Sequence, residues 1–435
     1  MSATSALQSR QKAAIPQGIA TKTLYAARAE NAEIWDVDGK RYIDFAAGIA
    51  VLNTGHRHPA VLRAVSEQAE AFTHTCFHVA PYESYIRLAE RLNALTPGQF
   101  PKKTLLVTTG AEAVENAIKI ARRATGRSAI IAFGGAFHGR TMMGMALTGK
   151  VVPYKKGFGP FPAEVYHAPF PKTFHGVDPA KAMEGLRQLF LNDVDPSRVA
   201  AIIVEPVQGE GGFYIAPAEF LRELRALCDQ YGILLIADEI QTGIARTGRM
   251  FAIDHAGVVP DLITMAKGLA GGFPLAAVTG RADIMDAADP GGLGGTYGGS
   301  PIGVAAANAV LDVVDGENLS ERAMQIGDLM RERLEDVARR NSLSCIGEVR
   351  NLGAMVAIEF VKNRDPRQPD SAVTSAIIAK AQEKGLILLS CGIDANIIRI
   401  LAPLTIPLEQ VEEGLTIFEA ALAEVTASDS VALPA

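Results

Sequence analysis

The octapeptide GILLIADE (232–239) decides how this chain folds. From Ile233 to Ala237 it is apolar on both faces, and it then runs directly into two carboxylates, Asp238 and Glu239. A short run without alternation reads as a strand buried inside a parallel sheet. Its carboxyl end is where open α/β sheets collect their ligands, so an acid there is well placed for chemistry. Working outward, the same pattern recurs in TLLVTT (104–109), AIIAF (129–133), AAIIVEP (200–206) and DLITMA (261–266). Helical patterns lie among them. In AEAVENAIKIARR (111–123), Val114, Ala117, Ile118 and Ala121 share one face; in PAEFLRELRALCDQYG (217–232), Phe220, Leu221, Leu224 and Leu227 do so, with Gly232 as a stop. Strands alternating with helices predict an α/β domain joined by crossovers.

The ends of the chain are organised differently. EIWDVDGKRYIDFAAG (33–48) reads as a hairpin turning at Asp38-Gly39. In the C-terminal third, a helix with Ile326, Met330, Leu334 and Val337 on one side leads to the strand-like GAMVAIEFV (353–361). The polar loop KNRDPRQPDS (362–371), a further helix and strand pairs around GLILLS (385–390) and IIRILAPL (397–404) complete a second, smaller α+β unit. Beyond Val425 periodicity fades, and the tail is expected to fray.

Composition narrows the functional classes. The 435 residues exceed one ordinary domain, and 48% hydrophobic with 21% charged residues is the balance of a globular protein. Net charge is 42 − 48 = −6, without a block of one sign, which argues against nucleic acid or an anionic membrane as partner. Apolar stretches such as AAGIAVL (46–52) fall far short of the roughly 18 residues a membrane span needs. Cys76, Cys228, Cys345 and Cys391 show no CxxC spacing, which fits a reducing compartment, and the cytoplasm is expected. No secretory h-region opens the chain. Arg10, Lys12, Lys22 and Arg28 precede the first acid, Glu30, faintly like an organellar presequence, but a solvated arm is the commoner origin of such a stretch.

Five constellations bear on chemistry. Lys267 closes DLITMA and precedes GLAGGFP, 29 residues after Asp238; one strand–helix–strand unit between them brings both to one sheet edge. A lysine there is partly desolvated, which lowers its pKa and makes it a Schiff-base nucleophile, although an isolated lysine at a strand end is more often simply solvated. In LLVTTGAEAVENA a helix starts directly after a strand, leaving the amides of Gly110, Ala111 and Glu112 free for an anion, or merely making a turn. GGAFHGRT (134–141) imitates a P-loop except that Arg140 stands in place of the lysine, and the segment after it is a poor helix; a nucleotide hydrolase is the rival class. His56, His58, His74 and His78 around Cys76 could be drawn as a metal site, but nothing of the form HExxH or CxxC accompanies them, and no metal is expected. Finally, Glu205, Glu210 and Arg399 are charges in apolar settings, which need either one another or a ligand.

Taken together, TTGAEAVENA (108–117), FHGRT (137–141), EPVQGEGG (205–212), ADEIQTG (237–243), RTG (246–248), AKGLAGGFPL (266–275) and GGTYGGSP (294–301) resemble, in order and spacing, the class III (subgroup II) aminotransferases, which are fold type I pyridoxal-phosphate enzymes. The resemblance runs from about Ala14 to about Phe418 and is greatest to members acting on 4-aminobutyrate. It implies an α/β fold type I architecture. Residues 61–320 would form a large cofactor domain with a mostly parallel central sheet, and residues 1–60 and 321–435 a small α+β domain built from both termini.

The roles it implies are specific. Lys267 would carry pyridoxal 5'-phosphate as a Schiff base and shuttle the proton. Asp238 would pair with the pyridine nitrogen, and Gly110 and Ala111 would bind the phosphate. Phe137 would stack on the ring, with His138 beside the cofactor and Gln241 near its phenolic oxygen. Thr296 would reach the cofactor of a neighbouring subunit, implying a homodimer or a dimer of dimers. On the substrate side, Arg140 would grip the distal carboxylate, and Arg399 the α-carboxylate of glutamate. Glu210 would neutralise Arg399 when 4-aminobutyrate is bound, Ile49 would line an apolar wall, and Glu205 would sit beside the site. The implied reaction takes 4-aminobutyrate, and 5-aminovalerate, with 2-oxoglutarate to succinate semialdehyde and glutamate by a ping-pong course. Ornithine, acetylornithine or β-alanine are the alternative donors. Ala111 stands where serine is frequent in the family, Ser300 where asparagine is, Ala245 where glycine is, and His78 where glutamine is; none removes a catalytic group, and the preferred donor length stays open.

Overall fold

The computed structural model describes residues 2–340 and 343–431. An N-terminal helix, Ala3–Ala14, buries no side chain, in keeping with a solvated arm; it is tied down where Ala3 N and Thr4 Oγ1 donate to Asp38 at 2.9 and 2.6 Å. Strands β1 (Ala26–Glu30), β2 (Glu33–Asp36) and β3 (Arg41–Asp44) follow as an antiparallel meander. The expected hairpin turns at Gly39, whose φ of 86° favours glycine, while Asp36 Oδ1 accepts from the amides of Asp38 and Lys40.

The centre of the molecule is built from β4 (Lys102–Val107), β5 (Ala129–Phe133), β6 (Val165–Ala168), β7 (Val199–Val204), a two-residue ribbon β8 (Val207–Gln208) and β9 (Tyr214–Ile215), β10 (Leu234–Asp238), β11 (Leu262–Met265) and β12 (Ala276–Arg281). Without the ribbon, these form one seven-stranded sheet in the order β4-β12-β11-β10-β7-β5-β6. Every residue of β5, β7 and β11 is buried, as their unbroken apolar runs require. Helices cover both faces. Gly110–Thr125 packs Val114, Ala117, Ile118 and Ala121 against one, and Ala218–Tyr231 packs Phe220, Leu221 and Leu224 against the other.

One strand escaped the sequence reading and one local expectation fails. β12 runs antiparallel to both neighbours in the otherwise parallel sheet, because the link from β11 is only residues 266–275 and contains no crossover helix. Between Asp238 and Lys267 the expected helix shrinks to a 3₁₀ turn, Ala252–Ala256. Ile244 and Ala245 hold φ of 56° and 68° there, which ends any helical run. Ala245 thus holds a conformation that glycine would adopt without strain.

The C-terminal third contributes β13 (Ile346–Leu352), β14 (Met355–Phe360), β15 (Leu386–Ile387), β16 (Leu389–Cys391) and β17 (Ile397–Ile400). Of these, β13-β14-β17-β16 form an antiparallel sheet, whereas β15 pairs in parallel with β3 and so joins the two ends of the chain. β13 carries no clear sequence signal, since its polar residues interrupt the alternation. The last helix, Leu408–Val431, continues past Val425, where fraying is expected; residues 432–435 lie outside the described residues. Among the described residues no helix is long and apolar enough to cross a membrane.

Candidate active site

Asp238 and Lys267 stand at the carboxyl ends of adjacent parallel strands and line one cavity of about 570 Å³. Ladder pairing sets Asp238 beside Thr264, whose hydroxyl donates to Asp238 Oδ1 at 3.0 Å. The amide of Ile240 donates to the same oxygen at 3.1 Å, and His138 Nδ1 donates to Oδ2 at 2.7 Å. Asp238 is thus a buried carboxylate fixed on three sides. Its neighbour Glu239 points elsewhere and has a structural task, accepting from the amides of Ala252 and Ile253 at 3.0 and 2.7 Å. Burial disfavours charge on His138, but Asp238 outweighs it and raises the imidazole pKa.

Lys267 begins a short turn, Lys267–Ala270, with φ of 40°. Its amine is pushed down to about 8, chiefly by burial and also by the field of Arg399, against the opposing pull of Glu210, Glu205 and Asp238. Since the neutral form is favoured, the amine becomes nucleophilic as pH rises through 8. Recombination of the apoprotein with pyridoxal phosphate should therefore accelerate between pH 7 and 9 and level off near 9, as followed by visible absorbance. A rate still climbing steeply at pH 10 would mean an ordinary, solvated lysine.

At the end of β4 the chain enters the helix Gly110–Thr125 through a capping box. Thr109 Oγ1 accepts from Glu112 N at 3.3 Å, and Glu112 Oε2 accepts from the amides of Thr108 and Thr109. One of the three expected anion donors, the Glu112 amide, is thus already occupied. The amides of Gly110 and Ala111 remain at the mouth of the helix dipole, facing the cavity. Gly139 permits this closeness: at φ 116°, a Cβ there would lie 3.0 Å from Ala111 Cβ.

The imitation P-loop around FHGRT does something else with its backbone. The amides of Gly134, Gly135, Phe137 and His138 donate to Ala168 O, Gly149 O, Glu205 Oε1 and Thr148 Oγ1, so none of these four is free to cradle a phosphate. The helix after it, Met142–Leu147, is little more than one turn. What the loop presents to the cavity is Phe137, His138 and Arg140. Glu205 also accepts from Gly209 N at 2.9 Å, and burial raises its pKa.

On the far wall, Arg399 of β17 meets Glu210 in a two-pronged ion pair, Nη1–Oε1 2.5 Å and Nη2–Oε2 3.2 Å. Burial raises the pKa of Glu210, but Arg399 more than offsets it, and the carboxyl sits below its ordinary value. Arg399 Nε is buried without a hydrogen-bond partner among the described residues. Arg140, by contrast, is exposed toward the cavity, its guanidinium 5.3 Å above the ring of Tyr154, and no ion pair involves it among the described residues. Tyr154, which sequence reasoning missed, also places its hydroxyl 3.5 Å from Glu210 Oε2 and its ring 4.9 Å from that of Phe137.

Ten of the thirteen site residues anticipated from the sequence line this one cavity, and Arg399 joins through Glu210. Two stand apart. Ile49 is 42% exposed within a left-handed stretch, Ala47–Ala50, while Val51 lines the cavity instead. Thr296 is exposed on a glycine-rich loop bordering Thr108 and Glu112. The histidines of the imagined metal site are dispersed: His56 pairs with Asp44, His58 with Glu317, and His74 lies against Tyr297.

The chemistry of the cavity suits pyridoxal phosphate. A buried carboxylate, a desolvated amine, two free helix amides and the unpartnered Gln241 Oε1 match, in turn, a pyridine nitrogen, an aldehyde, a phosphate and a polar ring edge. Comparison with known proteins agrees. Residues 15–422 match the family model for aminotransferase class-III. The chain is 55% identical over 412 residues to a 5-aminovalerate aminotransferase of Pseudomonas aeruginosa, covering 94% of this chain and 96% of the relative. It is 53% identical over 418 residues to a 4-aminobutyrate aminotransferase of Escherichia coli, covering 96% and 98%. Among solved structures, an amine transaminase of an uncultivated Pseudomonas species in its PLP-bound form superposes with a TM-score of 0.86 at 31% identity, over 94% of this chain and 98% of that one.

Proposed function

The chain belongs to the class III aminotransferase family, and from that premise we propose that it moves the amino group of 4-aminobutyrate to 2-oxoglutarate, with 5-aminovalerate as a second donor. The products are succinate semialdehyde, or its one-carbon-longer homologue, and glutamate. The cofactor is pyridoxal phosphate. The observation that carries this reading is the Arg399–Glu210 pair, whose Glu210 lines a cavity that also holds an Arg140 with no ion pair among the described residues.

An ω-amino acid offers one carboxylate, far from its amine; glutamate offers a second one close by. Arg140 is free to take the far carboxylate in both half-reactions. Arg399 must be neutral toward the first substrate and available to the second, which a displaceable Glu210 achieves. When bound, pyridoxal phosphate supplies an electron sink for the pair left as the substrate carbon loses its proton. The Gly110 and Ala111 amides would hold its phosphate and Asp238 its ring nitrogen, while Phe137, His138 and Gln241 would frame the ring. Lys267 Nζ, neutral in good part near pH 8, would take the proton from the amino-bearing carbon and carry it during the transfer. Because one cavity serves donor and acceptor in turn, the kinetics are ping-pong.

Glu210→Ala isolates the switch. It leaves Arg399 buried and unpaired whenever 4-aminobutyrate occupies the site, so the donor half-reaction should fall by about 10²-fold while the glutamate half-reaction changes only a few-fold. Equal losses in single-turnover absorbance traces would remove the switch from the reading. A donor panel with 2-oxoglutarate as acceptor tests the function itself; ornithine or β-alanine outpacing 4-aminobutyrate in kcat/KM would overturn it.

The same reading makes the active form a homodimer or a pair of dimers, supported by an exposed Thr296 that its own chain's cavity does not use. It divides the chain into a large cofactor domain, 61–320, and a small domain from 1–60 and 321–435, supported by the β3–β15 pairing. Its cytoplasmic location is supported by Cys76, Cys228, Cys345 and Cys391, none of which forms a disulfide among the described residues.

A further inference from the structure

Arg350, which has no role in the chemistry assigned above, lies in the same cross-strand row as Arg399. Register pairs Arg350 of β13 with Ala357 of β14, and Ala357 with Arg399 of β17. Directly paired residues project from one face of a sheet, so the two arginines flank Ala357 on the same side. They also grip the same turn. Arg399 holds the Glu210 carboxylate, and Arg350 donates from Nε and Nη2 to the carbonyl of Gly212, at 3.1 and 2.5 Å. That turn, Gly209–Gly212, is also tied where Gly392 N donates to the Glu210 carbonyl at 2.9 Å and Gly209 N donates to Glu205 Oε2 at 2.9 Å; Arg350 holds its far end, where Gly212 has φ of 129°.

Arg350 is itself locked. Its Nη1 donates to Glu359 at 2.8 Å and Glu348 at 2.6 Å, and its guanidinium lies 4.2 Å above the ring of Tyr214. Glu359, fully buried, is completed by His175 at 2.7 Å and the Tyr214 hydroxyl at 3.1 Å. A buried, multiply bonded arginine aimed at a single carbonyl is an anchor with little freedom.

We propose that Arg350 is a positioning residue for donor selectivity: by fixing the Gly212 carbonyl it sets the turn so that the Glu210 carboxylate meets Arg399. This rests on the switching role of Glu210 given above. Without the anchor the turn drifts, Arg399 is neutralised for only part of the time, and the ω-amino donor suffers while glutamate, which displaces Glu210 anyway, does not.

The test compares three variants of the holoenzyme by single-turnover absorbance with 4-aminobutyrate and with glutamate, alongside thermal melts. Arg350→Lys keeps the charge beside Glu359 but cannot make the two-pronged grip. The double variant Arg350→Met/Glu359→Met removes both partners, so that no buried charge is orphaned should the lysine variant fold poorly. Glu210→Ala is the reference. The expected result is a five- to twentyfold loss in the 4-aminobutyrate half-reaction, less than twofold with glutamate, in whichever Arg350 variant melts near the wild type. If Glu210→Ala is selective and both Arg350 variants lose the two half-reactions equally, or lose neither, the anchor is refuted while the switch stands. If Glu210→Ala is itself unselective, the switch has failed and the anchor falls with it.

Discussion

Lys267→Ala is expected to fold and yet to lose transamination by about 10⁴-fold or more, because on the proposed reading it removes both the covalent anchor and the group that moves the proton. The fold should survive, since the Lys267 amine has no hydrogen-bond partner among the described residues and lies in a turn at the cavity wall. Truncation there relieves a desolvated charge rather than opening a packed core, so the thermal midpoint should hold or rise. Two measurements separate this loss from misfolding. Borohydride reduction should fix the cofactor to the wild type, by intact mass, and not to the variant. Exogenous small amines should restore part of the rate, since the missing group is only a base. Covalent retention of the cofactor by the variant after reduction would mean that another lysine carries it.

Asp238→Asn is the second large effect, with kcat expected to fall by about 10³-fold at nearly unchanged structure. The amide keeps its carbonyl oxygen for the bonds from Thr264 and Ile240, so the strand ends stay in place. What it loses is the negative charge that would hold a proton on the pyridine nitrogen. It also strips His138 of the partner that raises its pKa, so the imidazole pKa should drop, measurable by ring-proton shifts. If the loss appeared in cofactor affinity alone, with kcat intact, the carboxylate would be an anchor and not an electronic partner.

Much of this was readable from the chain itself, and the boundary of legibility is physical. Buried parallel strands announce themselves because both faces must be apolar, which is why GILLIADE and DLITMA located Asp238 and Lys267 at adjacent strand ends. β12 escaped, since PLAAVTGR lies behind a glycine-rich loop and its reversal depends on the length of a link, not on its composition. Tyr154 sits in VVPYKKGFG, a stretch with no periodicity, and only folding brings it to Arg140 and Glu210. The pairing of His138 with Asp238 spans a hundred residues, and no local rule anticipates it. Occupation of the Glu112 amide was legible in principle: Thr109 three residues before a glutamate is a capping signature, and it subtracts one donor from any anion site placed there.

The pairing of Asp238 with Thr264 reaches beyond its single hydrogen bond. The strand that delivers the amine also clasps the acid, so their spacing is dictated by the sheet's repeat and is indifferent to how the intervening chain wanders. The segment linking the two strands could therefore be rebuilt, in length and in sequence, while the strand pairing keeps Asp238 beside Thr264. Diversity of substrate across descendants of such a scaffold would then accumulate in loops, while the inherited core of the reaction stayed still.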